Sequence, residues 1–299
     1  MPELIEIARA KINLTLRVLG RRSDGYHELE SIVVFADIGD RLVLRRNPLL
    51  QGHAAALLKV SGPFASAIAG ENLVQRAIRQ VEAAAGRPLA VEIELEKLLP
   101  VASGIGGGSA DAAAALRAIR LAFPEPLAAL DWNDIAGQLG ADVPVCLASA
   151  PCLMTGIGER LQPLAMPVLD IVLANACEPV PADKTRRVFQ ALGAGPLTDQ
   201  SAQVSIAGPL DRSRLLHLVH TIGNDLERPA TAVLPAIAAV KSAVADTPDC
   251  EAAMLSGAGP TVVGIYPSAE AARDAARLLL EAHPAWWVRA GSTAQASAP

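Results

Sequence analysis

The chain is 299 residues long, 51% hydrophobic and 19% charged, which is enough apolar surface for one large or two modest domains and too much for a disordered chain. An aromatic content of 3% and a net charge of −5 exclude a platform of stacked aromatics for single strands and a basic face for duplex nucleic acid. The four cysteines, Cys146, Cys152, Cys177 and Cys250, have no Cys-x-x-Cys spacing, so they are expected as buried, reduced thiols of a cytoplasmic protein and not as a zinc site.

Met1-Pro2-Glu3-Leu4 lacks the basic region and apolar core of a secretory signal. Ile5 to Leu19 alternates loosely and predicts a strand or strand pair, Arg21 to Glu28 carries the hairpin signal Asp24-Gly25, and Ser31 to Arg46 returns to a β pattern with a turn expected at Asp37 to Asp40. Leu73, Val74, Ala77, Ile78 and Val81 recur at helical spacing within Glu71 to Ala85, with Gly86 as a stop. Leu89 to Leu95 alternates apolar and acidic residues as a half-buried strand does. A glycine-rich loop, Leu99 to Gly108, then leads into an alanine-rich helix expected from Ser109, which Asp111, Arg117 and Arg120 make too charged for a membrane span. Asp131 is placed to cap a helix ending near Gly140. Leu169 to Ala174 reads as a strand, Pro229 to Val244 and Ala269 to Ala282 as helices, and Val262 to Tyr266 and Trp286 to Arg289 as short strands. Segment 193–209 is expected as an exposed loop and Gly291 to Pro299 as a frayed tail. With β-rich segments first and helices later, the order favours an α+β fold over a doubly wound sheet, with two lobes and the site between them.

The densest chemical signal is Leu99-Pro100-Val101-Ala102-Ser103-Gly104-Ile105-Gly106-Gly107-Gly108-Ser109-Ala110-Asp111. Glycines let backbone N–H groups approach an anion without a Cβ in the way, and the start of a helix adds unpaired donors and the positive end of its dipole. A Walker A loop would need Lys-Ser/Thr after its last glycine, where Ser109-Ala110 stands, and no clear βαβ unit surrounds the loop to support a dinucleotide fingerprint.

The residue order from Pro100 to Ala110 resembles the ATP-binding motif of the GHMP kinase superfamily, with Ile105 in place of the usual leucine. Ala8-Arg9-Ala10-Lys11-Ile12-Asn13-Leu14, followed by Arg22-Ser23-Asp24-Gly25-Tyr26-His27, resembles the signature of one of its branches, the 4-diphosphocytidyl-2-C-methyl-D-erythritol kinases. Gly140-Ala141-Asp142-Val143-Pro144, Gly156-Ile157-Gly158-Glu159, Asn224-Asp225-Leu226-Glu227 and Ser256-Gly257-Ala258-Gly259 continue the likeness, which runs from about residue 8 to 266. Pro181-Ala182-Asp183-Lys184-Thr185 departs from the family pattern, as does the stretch from Cys146 to Cys152.

The resemblance implies a two-lobed fold, with a mixed β/α lobe over residues 1–155 and an antiparallel sheet with helices over 156–299. It also implies transfer of the γ-phosphoryl group of ATP to the 2-hydroxyl of a cytidine-diphosphate-linked methylerythritol. Pro100, Val101, Ala102, Ser103, Gly104, Ile105, Gly106, Gly107, Gly108, Ser109 and Ala110 would then bind ATP, with Ser109 the candidate ligand for Mg2+. Asp142 would accept the proton of the attacking hydroxyl, and Lys11 would orient Asp142 and offset phosphoryl charge. Asn13, Tyr26, His27 and Thr185 would hold the acceptor, Tyr26 by stacking on the pyrimidine and His27 at its edge. Glycines 156 and 158 read better as a structural hairpin. The expected partner is a small molecule, with no nucleic acid and no membrane, and the expected state is a monomer or weak homodimer.

Overall fold

The structure, a computed structural model, describes residues 3–47, 56–68, 70–125, 127–198, 206 and 208–294. Their contacts divide the chain into two units, one made of Met1–Ala10, Gly39–Val101 and Gly106–Ala148, the other of Lys11–Ile38, Ala102–Ile105 and Ser149–Pro299.

The first unit is laid out on the beginning of β1 (Leu4–Asn13) and the second half of β3 (His27–Arg46), which pair. β3 continues antiparallel to β5 (Val91–Glu96), from Arg41 opposite Glu96 to Arg46 opposite Val91, and β4 (Leu57–Ser61) adds to β5 in parallel. The turn expected at Asp37 to Asp40 is absent, because β3 runs through it unbroken. Asp40 mimics a turn former in the sequence, yet it is fully buried and accepts from the amides of Leu98 and Leu99 at 2.5 and 2.8 Å.

Four helices of this unit pack on one another. α1 (Leu73–Ala85) is capped by Asn72, whose side chain accepts from the Val74 amide, and ends at left-handed Gly86; Val74, Ala77, Ile78 and Val81 form its buried face. α2 (Gly107–Ala122) starts two residues before the expected Ser109 and buries ten of its residues, seven of them alanine. Such small side chains let α1 and α4 (Val143–Ala148) come close to it. α3 (Trp132–Leu139) starts at Asp131 as expected, the carboxylate accepting from Asn133 and Asp134 at 3.0 Å. α4 has only six residues and carries Pro144 in its first turn, where proline is tolerated but no periodic pattern can develop.

In the second unit, β2 (Arg17–Arg21) and the start of β3 form the expected hairpin, and β3 then pairs with β6 (Cys152–Gly156), itself in a hairpin with β7 (Arg160–Pro163). A separate antiparallel sheet has the order β11 (Trp287–Ser292), β8 (Asp170–Asn175), β10 (Val262–Tyr266), β9 (Ala252–Leu255). α8 (Ala236–Ala245) and α9 (Ala269–Ala282) cover it, enclosing Val172, Val240, Val262, Ala275 and Leu279. α5 (Lys184–Leu192) packs on α7 (Glu227–Val233), and α6 (Arg212–Ile222) lies beside β9. A mixed sheet in one place and a purely antiparallel one in another bear out the α+β class.

Four further expectations need correction. The helix expected from Pro229 to Val244 is two helices, α7 and α8, because Pro235 has no amide to carry the ladder across the break. The tail from Gly291 is ordered at its start: Gly291 and Ser292 pair with Ile171 and Asp170, and buried Thr293 accepts from the Leu169 amide at 2.9 Å. Residues 295–299 lie outside the described residues, as do 199–205 and 207 of the expected loop 193–209, of which Ile206 is buried and not exposed. The four cysteines form no disulfide, but only Cys146 and Cys152 are buried, while Cys250 is half-buried and Cys177 exposed.

Candidate active site

The loop after β5 brings three left-handed residues to alternate positions, Ala102 (φ 56°), Gly104 (φ 80°) and Gly106 (φ 66°). Such backbone concavities turn successive amides toward an anion. Asn72, Asp131, Asp211 and Ser268 cap α1, α3, α6 and α9 with side-chain acceptors, whereas Gly106 at the start of α2 offers none. The first amides of α2, like those of α5, α7 and α8, thus have no side-chain cap, and here the positive end of the helix dipole adjoins the glycine loop. Gly107 and Ser109 are half-buried and Gly108 is exposed.

Under this helix start, in the first unit, sits a buried charge cluster. The Lys97 ammonium binds the Asp40 carboxylate and lies 2.6 Å from that of Asp111, on the second turn of α2. Burial pulls the Lys97 ammonium down, but Asp111 and Asp40 more than offset it, so it stays charged above the ordinary lysine range. Burial drives Asp111 well above the usual carboxylate range, and Lys97, shared with Asp40, only partly opposes it. One carboxylate oxygen of Asp111 is buried without a partner.

In the second unit, residues 102–105 are fastened on two sides. Lys11 N donates to the Ile105 carbonyl at 2.9 Å, Thr261 N to Ser103 at 3.0 Å, and Ser256 Oγ to Gly104 at 3.1 Å. A Cβ on Gly104 would stand 2.7 Å from the carbonyl oxygens of both Gly259 and Ser256, so this position admits no side chain. Asn13 donates its amide to Ser256 Oγ at 3.2 Å and its side-chain Nδ2 to Ser31 at 2.7 Å, while its Oδ1 is buried without a partner. Lys11, 5% exposed, is close enough to Cys152 for its charge to oppose the burial that pushes that thiol up to about 11.

The Asp24-Gly25 turn closes on itself, Asp24 accepting from the Tyr26 amide at 3.0 Å and Arg22 bridging Asp24 and Glu28. This leaves the Tyr26 ring standing out, 59% exposed. The His27 ring stacks on Phe189 of α5 with centroids 4.6 Å apart. Burial, helped by the charge of Arg21, lowers the His27 pKa, so the imidazole is neutral near pH 7. Thr185 is exposed on the first turn of α5. Asp142 lies between α3 and α4 in the first unit, half-buried, its carbonyl accepting from Cys146 N at 3.2 Å.

The second unit thus brings Lys11 and Asn13 to Ser103, Gly104 and Ile105, and brings His27 to the helix of Thr185. The first unit carries Pro100, Val101, Gly106 to Ala110 and Asp142. The Gly156–Gly158 turn is structural, as expected, with Glu159 accepting from the Ile157 amide at 2.6 Å. Asn224 is structural too, donating to Leu255 and Gly257 carbonyls at 2.9 and 2.8 Å. Phe189, Lys97 with its two carboxylates, and Lys184 escape a reading of the sequence. Only Lys97, a lysine between an apolar strand and a glycine loop, carries any signal of its place.

Comparison with known proteins fits this geometry. Residues 72–150 match the GHMP kinases N terminal domain and residues 210–284 the GHMP kinases C terminal domain. The fold and its glycine loop are those of a GHMP kinase. A protein of Parvibaculum lavamentivorans called 4-diphosphocytidyl-2-C-methyl-D-erythritol kinase is 48% identical over 95% of this chain and 96% of its own. One of the same name from Bradyrhizobium diazoefficiens is 43% identical over 98% of both. A crystal structure of 4-(cytidine 5′-diphospho)-2C-methyl-D-erythritol kinase superposes with a TM-score of 0.75 at 32% identity, covering 97% of this chain and 99% of that one. The chain belongs to the 4-diphosphocytidyl-2-C-methyl-D-erythritol kinase family.

Proposed function

We propose that this chain is an ATP-dependent kinase that phosphorylates 4-diphosphocytidyl-2-C-methyl-D-erythritol at its 2-hydroxyl, in the methylerythritol phosphate route to isoprenoid precursors. The observation that carries the chemistry is the loop from Ala102 to Ser109, whose left-handed backbone opens onto an uncapped helix start. It suits a polyphosphate, and residues Pro100 to Ala110 are assigned to ATP. Phosphoryl transfer asks the protein mainly for positioning and electrostatics. Asp142 is assigned to take the proton of the 2-hydroxyl as its oxygen attacks the γ-phosphorus and ADP leaves. Lys11 is assigned to offset the charge of the transferring group.

The acceptor's cytidine end is assigned to Tyr26, exposed for stacking, and to neutral His27 held against Phe189, with Asn13 and Thr185 as further contacts. The unpartnered Asn13 Oδ1 is a fixed acceptor for a hydroxyl. Among the described residues no group of three His, Cys, Asp or Glu side chains is arranged for a metal. This suits a Mg2+ that arrives on phosphate oxygens and water and needs one protein ligand, for which the Ser109 hydroxyl at the start of α2 is the candidate. When bound, the ion neutralises phosphate charge.

The reading divides the chain into an N-terminal part, 1–155, with the loop and Asp142, and a C-terminal part, 156–299. It places the enzyme in the cytoplasm as a monomer or weak homodimer without nucleic-acid or membrane partners. The net charge of −5 weighs against a nucleic-acid partner, and among the described residues no helix is long and apolar enough to cross a membrane. A panel of acceptors with Mg-ATP tests the assignment: the cytidine-diphosphate-linked substrate is expected to be preferred over homoserine and mevalonate, and preference for either of those would sink it.

A further inference from the structure

Lys184 is the first residue of α5 and only 6% exposed. Its ammonium donates to the Gly259 carbonyl, and among the described residues no carboxylate pairs with it. The neighbouring Asp183 is taken by Arg186 and Arg187, at 2.7 and 2.8 Å. An ammonium has three donors, so one hydrogen bond leaves two unused. Burial, with no carboxylate to oppose it, pushes the Lys184 pKa down to about 8. The first turn of a helix is also the wrong end for a cation, since the dipole there favours anions. Burial, a missing counter-ion and the helix dipole therefore all act against a charge at this point, and among the described residues only the hydrogen bond to Gly259 offsets them.

The place of Lys184 suggests what does. Gly259, its carbonyl partner, abuts Gly104 of the phosphate loop, where an added Cβ would sit 2.7 Å from the Gly259 oxygen. Ser256 and Thr261 of the same turn bind Gly104 and Ser103. Five residues along α5, Phe189 stacks with His27. Lys184 is thus the one described lysine that is buried, lacks a carboxylate and reaches the turn holding residues 103 and 104.

We infer that Lys184 is an anion-binding residue whose missing counter-ion is a phosphate oxygen of a bound nucleotide, either the triphosphate of the donor or the diphosphate of the acceptor. The inference rests on the functional reading above for the identity of those two ligands, but not for the phosphate chemistry.

The test compares the full-length wild type, Lys184→Met and Lys184→Arg by equilibrium titration with three probes. These are adenosine 5′-(β,γ-imido)triphosphate with Mg2+, cytidine 5′-diphosphate, and inorganic tripolyphosphate. Lys184→Met is expected to weaken tripolyphosphate and one nucleotide probe by at least about tenfold. Lys184→Arg is expected to stay within about threefold of wild type, since it keeps the charge. The nucleotide that loses affinity tells donor from acceptor. The unliganded Met variant is expected to melt no lower than wild type, a result that a purely structural lysine would not give. Wild-type affinities for all three probes in the Met variant would overturn the inference, as would a lower melting point with equal losses in the Met and Arg variants. A wild type that leaves the cytidine substrate unphosphorylated, yet loses tripolyphosphate binding in Lys184→Met, would defeat the functional reading and leave the role of Lys184 standing.

Discussion

Lys97 and Lys184 are both nearly inaccessible to water, at 3% and 6% exposure, yet their surroundings are opposite. Lys97 sits between two buried carboxylates, so removing its charge strands both of them. Lys97→Met is expected to destabilise the protein by about 3–5 kcal/mol in a urea titration; a loss below about 1 kcal/mol would mean that Asp40 and Asp111 do not depend on it. For Lys184 the sign reverses. Below its folded pKa of about 8 the ammonium is charged in both folded and unfolded chains, and the burial penalty is fully present. Between about 8 and the ordinary 10.5 the unfolded chain binds a proton that the folded chain has released, so this contribution to stability improves as pH rises. Lys184→Met is therefore expected to be more stable than wild type at pH 7, by about 1–3 kcal/mol, with the gap closing toward pH 10.5. A gap that stays constant with pH would show that the charge is not the cause. None of this was legible from residue types. Lys184 stands in a segment that departs from the family pattern, and a lysine after Pro-Ala-Asp reads as a solvated surface charge. Lys11 and Asn13 were singled out only through the family motif from Ala8 to Leu14 that carries them.

The start of α2 decides whether the loop holds a nucleotide. A Cβ on Gly107 would face the buried cluster beneath the helix start, meeting Lys97 Nζ at 3.7 Å and Asp40 Oδ2 and Leu99 Cβ at 3.8 Å. The branched side chain of Gly107→Val would press on that cluster and displace the first amides of α2, and a loss of ATP affinity of about tenfold or more is expected by titration. Unchanged affinity would count against the loop. Gly104→Ala acts differently, because at φ 80° and 2.7 Å from two carbonyls the new methyl group has no room. It is expected to lower stability by about 1–3 kcal/mol, seen as a lower denaturation midpoint with an unchanged slope. Elements with a cap in the sequence were the ones placed best: Asp131 marks α3, Gly86 ends α1, and Ser268 precedes α9. Where polar residues serve tertiary contacts they mislead, as with Asp37, which accepts from the Ser292 amide at 2.9 Å, and Asp40 within β3. α4 is too short to show a period, and α7 and α8 share one apolar rhythm across a proline that divides them.

At the level of the whole molecule, the α+β class followed from the order of patterns, while the discontinuous make-up of the two units did not. A unit assembled from residues 1–10, 39–101 and 106–148 depends on pairings far apart in sequence, such as Arg41 with Glu96, and no local pattern encodes them. The family was legible because its motifs recur in order along the chain, and full-length relatives at 43–48% identity agree with that order. The central claim is that this chain moves phosphate from ATP to a cytidine-diphosphate-linked methylerythritol with Asp142 as the base. It is tested most directly by ADP release with that substrate and Mg-ATP, for wild type beside Asp142→Ala. Turnover by wild type that falls by a factor of about 10² or more in the variant is the predicted result. No wild-type turnover, or a variant within about tenfold of wild type, would contradict it.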